Sequence, residues 1–472
     1  NQENLRNAKA TDTYILKGEG VETWEPKFTY HGFRYVQVEG LPHAPKVGDI
    51  RVKIVRNAVA PVGKFHCSNE LLNRIHRMVV ATEASNLHGV PTDCPQRDER
   101  MGWLNDLTVR IEQAVYNFDF SRFYAKFIDD IADTQHEDGT ITCVAPYRFG
   151  ARPADPVSAS YLLLAWKSYE YYGNRNIIRD HYDGLKGWVD YLASRTQDGI
   201  VDYSYYGDWS PPTQFAAAPG SAVSRDTPGQ LMSTGYLYYC ASMLSKMAEL
   251  TGRDSDKARY AQLAERTAEA FNRTYWNEQT GGYAANNQAA NSFALFLGVV
   301  DETRIPRVVK NLADDVEKHD YHLTTGNLCT KYLMEMLTRY GHAETAYRIA
   351  TQTTYPSWGY MLQNGATGIR HRRRDELAQP PDDGFDRLVV LQIPAGNRAR
   401  RRTSRFRPVH HSPLCSRRLG IRRRRVQLGK RDDPQRLEQK ERGVVAERND
   451  SGQFGRYGVR ALFARRKHHR ER

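Results

Sequence analysis

The chain has 472 residues, 40% apolar and 11% aromatic, the composition of a globular protein long enough for two or three domains. Its formal charge of +13 is concentrated at one end. Residues 371–472 hold 26 Arg and 3 Lys against 12 acidic residues, while residues 1–370 are mildly acidic, so the overall basicity makes no case for a nucleic-acid or membrane partner. No apolar run reaches the length of a membrane span. The six cysteines (Cys67, Cys94, Cys143, Cys240, Cys329 and Cys415) are scattered without a CxxC pair. That spacing argues against zinc and leaves buried free thiols as the expectation over disulfides. Position 1 is not Met and no signal peptide is visible, so the chain is expected to start inside a longer protein, with cytoplasmic and secreted locations both open.

In chain order, residues 12–60 read as strands. The stretches 13–16, 27–30, 33–38 and 50–55 are rich in β-branched and aromatic residues and are divided by Gly, Pro and Asp turns. From Ser68 the period changes. Ser68 or Asn69 can cap a helix whose Leu72, Ile75 and Val79 share one face. The stretch 89–106 then breaks the pattern, because Pro91 and Pro95 forbid a continuous helix. Four carboxylates, two arginines and Trp103 fall within residues 93–106, and a helix is expected from Asn105 or Asp106. Crowding acids with guanidinium groups beside an indole gives each acid a different environment. Some stay ionised against Arg97 or Arg100, and one against apolar surface is held protonated. The plainer reading is a salt-bridged loop with Asp106 as helix cap.

Helical spacing follows over 107–116, 123–134, 157–172, 177–194, 229–250, 254–271, 304–316, 331–340 and 343–351. Three of these end at Tyr172-Gly173, Thr251-Gly252 and Tyr340-Gly341, each glycine suiting the left-handed position after a helix. Repeated helix–Gly–helix pairs describe stacked αα-hairpins. Loops at one end of such a stack, among them 207–212 and 355–359, can converge on a shared funnel.

The run Asp93-Cys94-Pro95-Gln96-Arg97-Asp98-Glu99-Arg100, followed by Gly102-Trp103, resembles the signature of the α-L-rhamnosidases of glycoside hydrolase family 78. Similarity extends from about Tyr14 to Thr367 through His31–Tyr35, Asp208-Trp209, His322–Asn327 and Tyr355–Thr367. The resemblance implies a mainly α fold, an (α/α)6 toroid catalytic domain preceded by a partial β-sandwich. The domains expected are 1–62, 63–370 and an Arg-rich tail at 371–472. By the same resemblance Glu99 is the general acid, Asp93 and Arg97 hold rhamnose hydroxyls, and Trp103 packs on the sugar. Asp106 falls on another acidic position of the motif. Asp155 matches a further sugar-binding aspartate in altered surroundings, Asp208-Trp209 the Gly-Asp-Trp segment, and Trp358 is grouped with the substrate-binding set. Turn or cap roles for Asp155 and Asp208, and a core role for Trp209, remain open.

The expected activity is removal of terminal α-L-rhamnose with inversion, from a rhamnose-containing glycoside or polysaccharide. No cofactor or metal is expected, since nothing resembles a nucleotide cradle or an EF-hand loop. After Thr367 the family continues with a Trp-Glu segment whose Glu is the general base. Here residues 368–374 contain no carboxylate, and His371 stands among arginines. A reading-frame shift in the source sequence would account for the tail, and the chain as written is expected to hydrolyse rhamnosides poorly. Two other readings stand beside this one. The first is a non-hydrolytic sugar binder keeping Asp93, Arg97, Trp103 and Trp209. The second is a non-specific phosphate binder through the Arg-rich tail, whose scarcity of aromatics speaks against specific nucleic-acid recognition.

Overall fold

The computed structural model describes residues 5–366, except 34, 42 and 43, together with 459–462. It divides into two units, residues 1–8 with 55–422 and residues 9–54 with 423–472.

The larger unit is an (α/α)6 toroid. Asn69 opens it by accepting from the Leu71 amide, capping α1 (Glu70–Ser85). Then come α2 (Leu104–Asn117), α3 (Ser121–Ala132), α4 (Ser160–Tyr172), α5 (Arg175–Ser194), α6 (Gly229–Thr251) and α7 (Asp254–Tyr275). The series ends with α8 (Gln288–Leu297), α9 (Ile305–Lys318), α10 (Cys329–Arg339), α11 (Ala343–Ala350) and α12 (Trp358–Gln363).

Even- and odd-numbered helices differ in how they are buried. In α2, α4, α8 and α10 most residues are buried, and consecutive even-numbered helices from α2 to α10 pack on one another. These line the inside of the ring. α3, α5, α7, α9 and α11 each bury one stripe, the pattern of helices with one wet face. The same chemistry explains a helix that the spacing misses. α8 is buried nearly all round, its polar Gln288, Asn291 and Ser292 included, so no wet face marks it; its ends are marked by the Asn287 cap and the left-handed Gly298. α12, expected as part of a loop, is started by Ser357, whose hydroxyl accepts from the Tyr360 amide.

Two minute hairpins, β2 (Thr196–Gln197) with β3 (Ile200–Val201) and β4 (Trp276–Asn277) with β5 (Gly282–Tyr283), fall between α5 and α6 and between α7 and α8. The five described cysteines are buried and free; Cys415 lies outside the described residues. Among the described residues no helix is long and apolar enough to cross a membrane.

The smaller unit departs from expectation. Of the four strands read from sequence, only β1 (Val36–Glu39) forms, pairing in parallel with β6 (Val459–Leu462). A strand exists only where a neighbour completes its ladder. The segments 13–16, 27–30 and 50–55 have none among the described residues, and Ile15, Phe28, Val52 and Ile54 are exposed. Local order comes instead from side chains: Tyr14 stacks on Trp24 at 5.3 Å, and His31 meets Asp12 at 2.8 Å.

Candidate active site

The loop before α2 is built around Asp93. Its amide donates to the Met101 carbonyl at 2.9 Å, and its Oδ1 accepts from the Met101 amide at 2.7 Å. This closes residues 93–101 into a tight excursion. The loop is then pinned to the segment 143–145. The Ala145 amide donates to the Gly102 carbonyl, the Leu104 amide donates to the Cys143 carbonyl, and Trp103 bridges Val144. Gly102 is required here, because a Cβ would stand 2.3 Å from the Ala145 oxygen. α2 thus starts at Leu104 with Trp103 as its N-cap residue. Asp106 is the third helical residue rather than the cap.

Three acids, a guanidinium and an indole converge inside this loop. Arg97 Nη2 lies 2.7 Å from Glu99 Oε2 and 3.7 Å from Asp93 Oδ2. Trp103 Nε1 donates to Glu99 Oε1 at 2.9 Å, and Arg6 Nη1 approaches Oε2 at 3.3 Å. The Glu99 side chain keeps 13% of its surface open to solvent, whereas that of Asp93 keeps none. Burial, with the neighbouring charges of Glu99 and Asp106, pushes the Asp93 carboxyl up to about 7. The acid held protonated is therefore the one in the interior, and the cluster carries a proton near neutrality.

Cys94 completes the cluster. Its thiol donates to Asp93 Oδ2 at 2.7 Å, and Arg97 Nε lies 2.8 Å from its sulfur. The ligand atoms of Asp93, Cys94 and Glu99 lie within 4.8 Å of one another, a spacing seen in small metal sites. Here the Arg97 guanidinium already supplies the positive charge, and burial pushes the Cys94 thiol well above its ordinary range. This chemistry suits a hydrogen-bonded proton store better than a metal.

Trp103 connects the cluster to a second loop. Its ring meets Tyr206 edge-on, with centroids 6.1 Å apart at 88°. Asp155 holds that loop in place. Its Oδ2 accepts from the amides of Tyr205 and Tyr206 at 2.6 and 2.8 Å, and its Oδ1 accepts from the Val157 amide at 3.0 Å. The carboxylate is fully buried and committed to backbone, which is the turn role left open by the sequence.

Asp208 does the same for a third loop. Its Oδ2 accepts from the Gly326 amide at 2.7 Å, and its Oδ1 from the Leu328 and Cys329 amides at 3.0 and 2.9 Å. It therefore neutralises the N-terminus of α10, where a negative charge is favoured. Burial outweighs those hydrogen bonds and pushes its carboxyl up to about 6. The Asn327 amide donates to the Trp209 carbonyl at 2.7 Å, so the Trp209 loop is latched to residues 325–327. Trp209 and Trp358 are both buried. The described contacts thus join Asp93, Arg97, Glu99, Trp103 and, through Tyr206, Asp155. They place Asp208 and Trp209 in a separate latch.

Sequence reasoning missed several participants. Arg6 lies 93 residues from Glu99, and Tyr206 had no motif of its own. A buried ionic network inside the ring was also missed. Glu112 of α2 meets Lys167 of α4 at 3.0 Å, Lys331 of α10 at 3.2 Å and the Tyr171 hydroxyl at 2.8 Å. Burial alone would raise the Glu112 carboxyl, but the two ammonium groups hold it well below the usual range. Only pairing across helices, invisible to local spacing, reveals this set.

The comparisons with known proteins decide the family. The family model of the bacterial alpha-L-rhamnosidase 6 hairpin glycosidase domain matches residues 60–376. The chain belongs to the bacterial α-L-rhamnosidase family. The concanavalin-like domain of the same family matches residues 1–56. A curated α-L-rhamnosidase of Streptomyces avermitilis is 34% identical over 81% of this chain and 36% of its own length. Among solved structures, α-L-rhamnosidase from Dictyoglumus thermophilum is 42% identical, with a TM-score of 0.71 over 75% of this chain and 40% of that one. The Streptomyces avermitilis enzyme complexed with L-rhamnose is 32% identical, with a TM-score of 0.73 over 79% of this chain and 36% of that one. The chain spans between 36% and 40% of the length of the curated relatives it matches.

Proposed function

We propose that the chain carries the acid half of an inverting α-L-rhamnosidase site, with Glu99 as general acid. The observation that supports this most directly is the Trp103 Nε1–Glu99 Oε1 bond at 2.9 Å, in a loop fixed by Asp93. A general acid must be aimed and must have a proton to give. Trp103 and Arg97 aim Glu99, and the crowding of Asp93, Glu99 and Asp106 retains a proton near neutrality.

In this reading Glu99 protonates the glycosidic oxygen as the bond from that oxygen to the anomeric carbon breaks. Water attacks the opposite face and gives its proton to a second carboxylate, in a pair of groups roughly 6.5–9.5 Å apart. The products are free rhamnose, inverted at the anomeric carbon, and the alcohol that carried it. Asp93 and Arg97 orient the sugar hydroxyls, Trp103 and Trp209 wall the pocket, and Trp358 belongs to the same set. Asp155 and Asp208 act on the site by holding loops.

The second carboxylate belongs, by family resemblance, after Thr367. Residues 368–374 supply none, and His371 and the rest of residues 367–458 lie outside the described residues. We propose the division 1–62, 63–370 and 371–472 accordingly, with a substituted C-terminus explaining the missing base.

The test is hydrolysis of an aryl α-L-rhamnoside, with the product anomer read by proton NMR. The chain as written should be nearly inactive, and restoring Trp-Glu after Thr367 should give β-rhamnose as first product. Glu99→Gln in that restored chain should abolish turnover while keeping rhamnose binding. Full activity of Glu99→Gln would overturn the assignment.

A further inference from the structure

The two oxygens of Glu99 are held differently. Oε1 accepts from Trp103 Nε1, a buried donor four residues along the same loop. Oε2 accepts from two guanidinium groups, Arg97 at 2.7 Å and Arg6 at 3.3 Å. We propose that Arg6 is a displaceable cap on the general acid, standing where the glycosidic oxygen must approach Glu99 Oε2, and that a rhamnoside enters by taking its place. The inference rests on the reading of Glu99 as general acid and deepens it by naming the contact that gives way.

Anchorage separates the two guanidinium groups. Arg97 is buried, and besides Glu99 it meets Asp93 Oδ2 at 3.7 Å and Cys94 Sγ at 2.8 Å. Its place is fixed by the loop that carries the acid. The Arg6 side chain is 40% exposed, and among the described residues no other carboxylate pairs with it. A half-exposed ion pair of this kind is weak, so Arg6 yields before Arg97 does.

The backbone at Arg6 is a second, independent observation. Residues 5–8 form a tight turn in which the Ala8 amide donates to the Leu5 carbonyl at 2.9 Å. Arg6 adopts a left-handed φ of 52° in that turn. Glycine would sit there without strain, whereas a residue with a Cβ does not. Strained residues of this sort gather at ligand clamps and switches. Here the strained position is the one that carries a guanidinium to the acid.

The chemistry requires the cap to leave. A general acid must carry its proton on an oxygen that faces the leaving group. Oε1 is turned to Trp103 and one side of Oε2 to Arg97, so the seat left for that proton is the side held by Arg6. With Arg6 displaced, Oε2 takes a proton from solvent. That O–H bond breaks as the proton passes to the glycosidic oxygen, which keeps the electron pair of its broken bond to the anomeric carbon. Glu99 is left as a carboxylate, the form that draws Arg6 back once the products depart.

The experiment is calorimetric titration of the full chain with methyl α-L-rhamnoside, at low and high salt, on the wild type, Arg6→Gly and Arg6→Lys. Arg6→Gly removes the guanidinium and suits the left-handed backbone, so the fold should be kept. It should bind about twofold to fivefold more tightly, the reach of a half-exposed ion pair. Arg6→Lys should stay near the wild type. Salt should screen the pair and bring the wild type toward Arg6→Gly. Binding by Arg6→Gly alone also supports the cap. Unchanged or weaker binding by Arg6→Gly, a gain that salt does not narrow, or binding by neither overturns it. The chain with Trp-Glu restored separates the cap from the acid, since Arg6→Gly should lower KM there while Glu99→Gln abolishes turnover. Turnover lost in Glu99→Gln with KM unchanged in Arg6→Gly rejects the cap alone, and turnover kept in Glu99→Gln rejects both.

Discussion

Trp103 stands between two loops: its Nε1 donates to Glu99 Oε1 at 2.9 Å while its ring meets Tyr206 edge-on. One side chain thus both holds Glu99 and braces the Tyr206 loop. The two roles separate by substitution. Trp103→Phe keeps a ring against Tyr206 and removes the donor. It should cost about 0.5–1.5 kcal/mol in chemical denaturation, the net value of one hydrogen bond. A loss within error of zero would mean the bond does not hold Glu99.

Asp93 should impose a pH slope on stability. Its carboxyl is pushed up to about 7, above the unfolded value of about 3.9. Between those values the folded chain binds a proton that the unfolded chain has released, so stability falls as pH rises through that window. The contribution is complete below the unfolded value and lost above about 7. Denaturation curves across this range should show the slope in the wild type and a flatter line in Asp93→Asn. Equal slopes would remove Asp93 as the proton's seat.

Asp208→Asn leaves one acceptor oxygen where two oxygens serve three amides, and turns an amide donor toward backbone donors. A loss of about 2–3 kcal/mol is expected, with a change in Trp209 fluorescence as its loop comes free. Unchanged fluorescence would show that the loop is held by other means.

Glu112→Gln takes the ion-pair partner from Lys331, while Lys167 keeps its pair with Glu170 at 2.8 Å. Removing one partner of a buried ion pair costs about 3–5 kcal/mol, and the remaining exposure of Glu112 puts the expectation near the lower end. Adding Lys331→Met should recover part of the loss, because the stranded charge goes with it. A double variant no better than the single would mean Lys331 is not coupled to Glu112.

The stretch from Asp93 to Trp103 was legible because its chemistry is local. Prolines break the helix, and acids, guanidinium groups and an indole lie within one loop's reach of each other. Wet-faced helices such as α5 and α9 were legible because one apolar stripe leaves a period. α8 was not, since a helix buried on every side has none. The strands of 12–60 were misread for a related reason. β-branched residues favour a ladder, but among the described residues only 36–39 of this stretch have a partner for one. Asp155 and Asp208 looked like sugar ligands or turn residues equally well. Their bonds to the amides of Tyr205, Gly326 and Cys329, up to 121 residues away, leave no mark in local spacing.

Gly326 has a consequence for how a ligand would be received. A Cβ there would lie 2.2 Å from the Asp208 carbonyl oxygen, so two stretches of chain far apart in sequence lie against each other and share one carboxylate. Neither can swing aside alone. In the proposed reading a sugar arriving at Trp209 would meet a wall already in its final posture, and association would forfeit little chain entropy there. Its heat-capacity change should then track the apolar area covered, with no added signature of a segment folding around it.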